Sequence, residues 1–289
     1  MSAPLPHPLP AAPAQTHAEG WRARLTLDFE RRQSRSVLAR RLHDGPLVVQ
    51  KPLYPEGDDI CHAVLVHPPG GIVSGDQLRI DITARSGAHA LITTPGATKW
   101  YRSLGPTSSQ TVNIAVDADA VVEWLPQENI VFDAAHATMR THLALAGNAR
   151  LMGWEITCLG RQASGERFAR GELAQSIELS VDGELAWHER MRLSGDDALM
   201  RSPAGLAGST VFGTMWLAGC APDRNLLERL RKPVFAHGAA ATTALPRVTL
   251  VRAMSNSSEA LRAYFATLWE CARPHWLQRA ARRPRIWAT

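Results

Sequence analysis

The sequence predicts a mainly β fold, a strand-rich body followed by two α-helices toward the C-terminus. Three observations carry this. Short runs with period-two alternation of apolar and polar residues recur along the first two thirds of the chain. Turn signals separate them at regular spacing. Helical spacing of apolar residues is confined to the last third.

Residues 25–30 (Leu-Thr-Leu-Asp-Phe-Glu), 78–83 (Leu-Arg-Ile-Asp-Ile-Thr) and 112–116 (Val-Asn-Ile-Ala-Val) alternate with period two, as a strand with one buried face requires. Asp44-Gly45, Ser86-Gly87, residues 117–119, residues 146–148 and Asp182-Gly183 supply the turns. Strands at this spacing without intervening helices point to a sandwich, a barrel or a solenoid, and no repeat is strict enough to name a solenoid. Asp223 is a suitable N-cap for a helix reaching residue 231, and a second helix over residues 257–271 carries Leu261, Tyr264, Phe265, Leu268 and Cys271 as an apolar stripe. Residues 247–253 form one more strand between the two helices.

The 289 residues suffice for a large core, and 45% hydrophobic with 20% charged residues is ordinary for a soluble protein. Residues 1–20 are rich in Pro and Ala and are expected to be a disordered tail, with residues 21–289 as one domain. No run reaches the roughly 18 apolar residues of a membrane span, and the N-terminus lacks the layout of a secretory signal. The net charge of +5 rests on arginine, Lys51, Lys99 and Lys232 being the only lysines. Those arginines are spread along the chain and do not cluster with aromatics, which argues against a nucleic-acid binder. Cys61, Cys158, Cys220 and Cys271 form no C-x-x-C pair, so reduced thiols in a cytoplasmic protein are expected. No P-loop, G-x-S-x-G elbow or H-E-x-x-H helix occurs.

The most informative segment is residues 67–76, His-Pro-Pro-Gly-Gly-Ile-Val-Ser-Gly-Asp. Two prolines fix φ, and two glycines open positive φ or admit a close neighbour, so the segment is a rigid shape with His67 at one end and Asp76 at the other. In the preceding strand Cys61 and His67 share a face and His62 takes the opposite one. Six residues of straight strand separate Cys61 from His67 by about 20 Å, too far for one metal ion. Asp76 is read either as a cap for local amides or as a carboxylate held in a polar site.

Two glutamates break pattern. Residues 151–160 contain one charge, Glu155, in a run that reads as a strand buried on both faces. In residues 185–193, Glu189 shares its face with Leu185, Trp187, Met191 and Leu193. Together they suggest an internal polar path through a β body. A metal-dependent hydrolase using His62, His67, Asp76 and Glu155 is the alternative, and it requires those groups to converge on one ion.

Several segments occur in order: Tyr54-Pro55-Glu56, Cys61-His62, residues 67–76, residues 94–102 (Thr-Pro-Gly-Ala-Thr-Lys-Trp-Tyr-Arg), residues 124–132 (Trp-Leu-Pro-Gln-Glu-Asn-Ile-Val-Phe), residues 158–161 (Cys-Leu-Gly-Arg) with Gly165-Glu166, and the ending at residues 284–289. In this order they resemble the urease accessory protein UreD family, called UreH in some organisms, over residues 21–289. Ser74 stands where the family pattern has glycine.

The resemblance implies a flattened helical stack of strands with two helices, and no enzymatic activity. It implies partners as well: UreF, the GTPase UreG and the urease structural subunits, in a complex that docks on apo-urease and delivers nickel. No permanently bound cofactor is implied, only nickel in transit through an internal tunnel. Carried over by motif, Asp76, Thr98, Glu155 and Glu189 would line that tunnel, with Cys61, His62 and His67 as secondary candidates. Weak oxygen ligands suit an ion that must be released, whereas thiolates hold nickel too firmly.

Overall fold

The computed structural model describes residues 20–220 and 222–288. The tail expected to be disordered lies outside them, except for Gly20. The strands in chain order are β1 (Arg22–Arg32), β2 (Arg35–Asp44), β3 (Val48–Val49), β4 (Cys61–Val66), β5 (Gln77–Ala84), β6 (His89–Thr93), β7 (Thr98–Trp100), β8 (Ser108–Val116) and β9 (Val121–Leu125). They continue with β10 (Asn129–Val131), β11 (Ala135–Leu145), β12 (Arg150–Leu159), β13 (Gly171–Val181), β14 (Glu184–Ser194), β15 (Val211–Ala218), β16 (Gly238–Ala244) and β17 (Val248–Ser255). Three helices are α1 (Ala198–Arg201), α2 (Arg224–Arg231) and α3 (Ser258–Trp276). The expected mainly β, solenoid-like stack is what the chain forms, with single-turn α1 added to the two predicted helices.

The chain coils, placing one strand of each turn in a first sheet and the next in a second. The first sheet has the order β14-β13-β11-β8-β5-β1-β2, and the second β16-β17-β15-β12-β9-β6-β4-β3. Short β7 and β10 close a narrow third side, where β10 lies parallel to both β7 and the end of β12. Neighbours within the coil are parallel: Ile80 sits beside Val112, Val112 beside Thr141 and Thr141 beside Ile177, steps of 32, 29 and 36 residues. These unequal steps explain why no sequence repeat is visible. The predicted turns stack as corners, through Asp117 N–H to Ala84 O (2.9 Å), Ala146 N–H to Val116 O (3.0 Å) and Asp182 N–H to Leu145 O (2.9 Å).

Apolar residues of both sheets fill the space between them, among them Leu27, Ile82, Ile114, Leu151 and Trp216. The outer face of the second sheet packs on α2 and α3 through Trp154, Ile156, Met215, Phe265 and Trp269. This second layer is why β12 is buried on both faces, as its sequence predicts. Asp223 caps α2 by accepting from Leu226 N–H at 2.7 Å, and Ser257 caps α3 by accepting from Ala260 N–H at 3.1 Å. Two expectations need adjustment. Leu185 is exposed because a bulge between Leu179 and Ser180 shifts the β13–β14 register, which takes it off the face of Trp187 and Glu189. Helix α3 runs past Cys271 and through Pro274 to Trp276.

Buried charges hold that last turn. Arg273, fully buried, donates to Glu123 (Nε to Oε2, 3.0 Å) and to Glu56 (Nη2 to Oε1, 2.9 Å). His89 Nε2 meets Glu123 Oε1 at 2.7 Å, His62 Nε2 meets Glu56 Oε1 at 2.8 Å, and Trp269 Nε1–H donates to Glu123 Oε2 at 2.7 Å. Burial pushes the Glu123 carboxyl up, but His89 and Arg273 outweigh it and hold its pKa at about 2, below the ordinary 4.5.

Two predictions follow from this network. Arg273→Met strands two buried carboxylates and is expected to cost about 3–5 kcal/mol in urea unfolding. Because the folded-state pKa of Glu123 lies below its unfolded value, its stabilising contribution is complete above pH 4.5 and is lost as pH falls through about 2. The stability gap between the wild type and Glu123→Gln should therefore narrow over that window.

Candidate functional site

The signature segment behaves as a rigid unit. Residues 67–70 close a turn through Gly70 N–H to His67 O at 2.9 Å, with Gly70 at φ +76°. A Cβ on Gly71 would lie 2.2 Å from the Tyr101 ring, so only glycine fits there. Ile72 then joins β7, its N–H donating to Lys99 O at 2.7 Å. Asp76 ends the segment, accepting from Trp21 N–H (2.8 Å) and Val73 N–H (2.9 Å). It is buried and ties the start of β1 to the turn, which is the capping role.

His67, at the other end, faces a cavity of about 330 Å³ between the sheets, shared with Thr98, Gln110, Trp124, Asn129 and Glu155. Neither imidazole nitrogen has a hydrogen-bond partner, and Trp124 Nε1 is also unpaired. Burial pushes the His67 pKa below its usual 6.5, with nearby Asp76 opposing the shift. The ring is therefore neutral at pH 7, with a lone pair free to accept a proton donor or a metal ion.

Glu155 borders this cavity and a second, about 20 Å³, which it shares with Gln175, Met191, Phe212, Glu189 and Thr214. That volume is room for about one water molecule. Glu189 and Thr214 in turn border a third space of about 540 Å³, with Arg252 and residues 239–241 on its walls. The three spaces thus follow one another through shared wall residues: a chamber, a neck and an outer chamber.

The registers explain the line. Across the first sheet one row reads Leu25, Ile80, Val112, Thr141, Ile177 and Glu189. Across the second, Glu155, Thr214 and Arg252 stand side by side on β12, β15 and β17. The polar ends of the two rows face each other and bond across the gap. Thr141 Oγ1–H donates to Glu155 Oε1, and Gln175 Nε2–H to Glu155 Oε2 at 2.8 Å. Thr214 Oγ1–H donates to Glu189 Oε1 at 2.9 Å, and Arg252 Nε–H to Glu189 Oε2 at 2.7 Å. Burial raises the Glu155 pKa above the usual 4.5, Thr141 and Gln175 oppose the rise, and the charge of Glu189 adds to it.

The structure brings together Thr98, Glu155 and His67 at the first chamber, and Glu155 with Glu189 at the neck. Asp76 does not line these three spaces. Cys61 lies in the apolar core with its thiol pKa raised by burial, and His62 is held by Glu56 on the helix-facing side. Among the described residues no group of three His, Cys, Asp or Glu side chains is placed to hold a metal ion. The convergence of His62, His67, Asp76 and Glu155 that the hydrolase alternative requires is thus not found: opposite strand faces and the capping of Asp76 keep them apart.

Sequence reasoning missed Thr141, Gln175, Thr214 and Arg252. Each breaks an apolar face as the glutamates do: Gln175 stands between Leu173 and Ile177, and Arg252 follows Val248 and Leu250 at alternate positions.

A comparison with known families settles where the chain belongs. The family described as UreD urease accessory protein matches residues 21–288. The chain belongs to this family. Urease accessory protein UreD of Azoarcus is 50% identical over 270 residues, 93% of this chain and 95% of the relative. Proteins of the same name from Dechloromonas aromatica and Pseudomonas fluorescens are 47% and 46% identical, covering 94% and 97% of this chain and 96% and 99% of their own lengths. The line of cavities is thus found in a UreD family member, and three of the motifs that carry the resemblance, residues 67–76, 94–102 and 124–132, build walls of its first chamber.

The raised pKa of Glu155 has a stability consequence. The folded chain holds this proton more firmly than the unfolded chain, so wild-type stability falls as pH rises through 4.5, the usual value. Glu155→Gln removes that loss and keeps the hydrogen bond from Thr141. In thermal melts it should be more stable than the wild type at alkaline pH, with no difference well below pH 4.5.

Proposed function

We propose that this UreD family member is a non-catalytic scaffold of urease maturation in the cytoplasm. With UreF and the GTPase UreG it docks on apo-urease and conducts nickel to the urease active site. The single observation that supports the conduit is the line of three spaces joined at Glu155 and Glu189. No helix of the described residues is long and apolar enough to cross a membrane.

Nickel is cargo here, and the residues present suit a cargo. The donors along the line are the neutral imidazole of His67, the hydroxyl of Thr98 and the carboxylates of Glu155 and Glu189. They follow one another and do not close a cage, so each holds the ion weakly enough to pass it on. A fully hydrated divalent cation does not fit a neck with room for about one water. The two carboxylates that flank the neck replace lost water with oxygen ligands and balance the positive charge in a low-dielectric core. Asp76 serves the path from outside, by fixing the turn that carries His67. Cys158 stays out of it: burial pushes its pKa up to about 11, so it offers no thiolate to trap the ion.

The test is co-expression with UreF, UreG and the urease subunits, reading nickel per urease and urease activity. Glu155→Gln and Glu189→Gln are expected to leave the accessory complex assembled while lowering both readouts by well over half. Wild-type nickel content with both variants would overturn the conduit.

A further inference from the structure

Glu189 is the last carboxylate of the line, and it is occupied. Thr214 donates to one oxygen, and Arg252 donates to the other through Nε at 2.7 Å and through Nη2. The guanidinium thus stands on the wall of the outer chamber, beside Glu189, which borders both that chamber and the neck. A divalent cation arriving at Glu189 meets a fixed positive charge and a carboxylate already neutralised by it. In this arrangement the path is closed to cations at its outer end.

The pair is also built to open. The Arg252 and Glu189 side chains retain 46% and 28% of their exposure, so the guanidinium can swing into water and stay solvated. An ion pair at such a solvent edge contributes little to stability, and breaking it is cheap. The buried pair of Glu123 and Arg273 is the opposite case: both side chains are at 0% and serve as a lock. Within the row, Thr214 stays with Glu189 when Arg252 leaves, since its backbone is fixed between β12 and β17.

We propose that Arg252 is a cationic gate on the proposed nickel path, closing Glu189 to divalent cations until its guanidinium swings away. This rests on the conduit reading and deepens it: the gated site takes a divalent metal ion, and Arg252 sets when it does so. Gating here needs no movement of backbone, only one side-chain rotation at the wall of the outer chamber.

The experiment is nickel titration calorimetry on the full-length chain, with circular dichroism and thermal melts confirming the fold. Arg252→Met is expected to tighten nickel binding about tenfold over the wild type or to add a binding event, and Arg252→Gln to do the same if Arg252→Met folds poorly. The double variant Glu189→Gln/Arg252→Met is expected to lose that gain, which ties it to Glu189 and not to surface histidines. If Arg252 only joins the two sheets, the single variants lower the melting temperature and bind nickel as the wild type does, and the gate is wrong. The outcome is separable from that of the conduit. Tighter binding in Arg252→Met with undiminished nickel delivery by Glu155→Gln and Glu189→Gln would retain the gated site and sink the transit role. Unchanged binding with impaired delivery would do the reverse.

Discussion

A carboxylate buried between two β-sheets must be satisfied from the opposite sheet, and the architecture around Glu155 follows from that constraint. Left alone in an apolar core, Glu155 would cost several kcal/mol. Thr141 and Gln175, from the facing sheet, satisfy its two oxygens. Their positions require the register of β11 and β13 to match that of β12 across the sandwich. Glu189 repeats the arrangement one strand further out with Thr214 and Arg252. Polar groups so placed prevent the sheets from closing on each other, and the neck and its two chambers lie along them.

The rest of the molecule keeps this layer in position. Stacked corners set the turn-to-turn register, and α3 covers the outer face of the second sheet, anchored by Arg273 between Glu56 and Glu123. The signature segment closes one end of the inner chamber with a turn that two glycines and the Asp76 cap make rigid. The family relationship and the inner chamber therefore meet in the same residues: the motifs at residues 67–76, 94–102 and 124–132 shape its wall.

Much of this was legible in the sequence, for local reasons. Alternation in β1, β5 and β8, the cap of α2 and the turns between strands are properties of a few neighbouring residues. The burial of β12 on both faces was legible because one charge stood in an otherwise apolar run. Pairing was not legible, since Thr141, Gln175, Thr214 and Arg252 meet the glutamates from strands 14 to 63 residues away. Strand β16 was also missed. Its Gly-Ala-Ala-Ala-Thr-Thr-Ala sequence has no alternation and no apolar face to bury, and only pairing with β17 makes it a strand. Asp76 shows the converse, a conspicuous residue whose oxygens serve backbone amides. His67 could be named from the sequence, but its freedom from any partner is a fact of packing alone.

If the buried polar row is a passage for a divalent cation, the ion must be able to occupy it. Anomalous scattering at the nickel edge, from crystals of the full chain equilibrated with nickel, tests it most directly. A passage predicts nickel density inside the body, on the line from His67 past Glu155 to Glu189. Nickel found only on surface histidines, with the row empty at saturating metal, would contradict it.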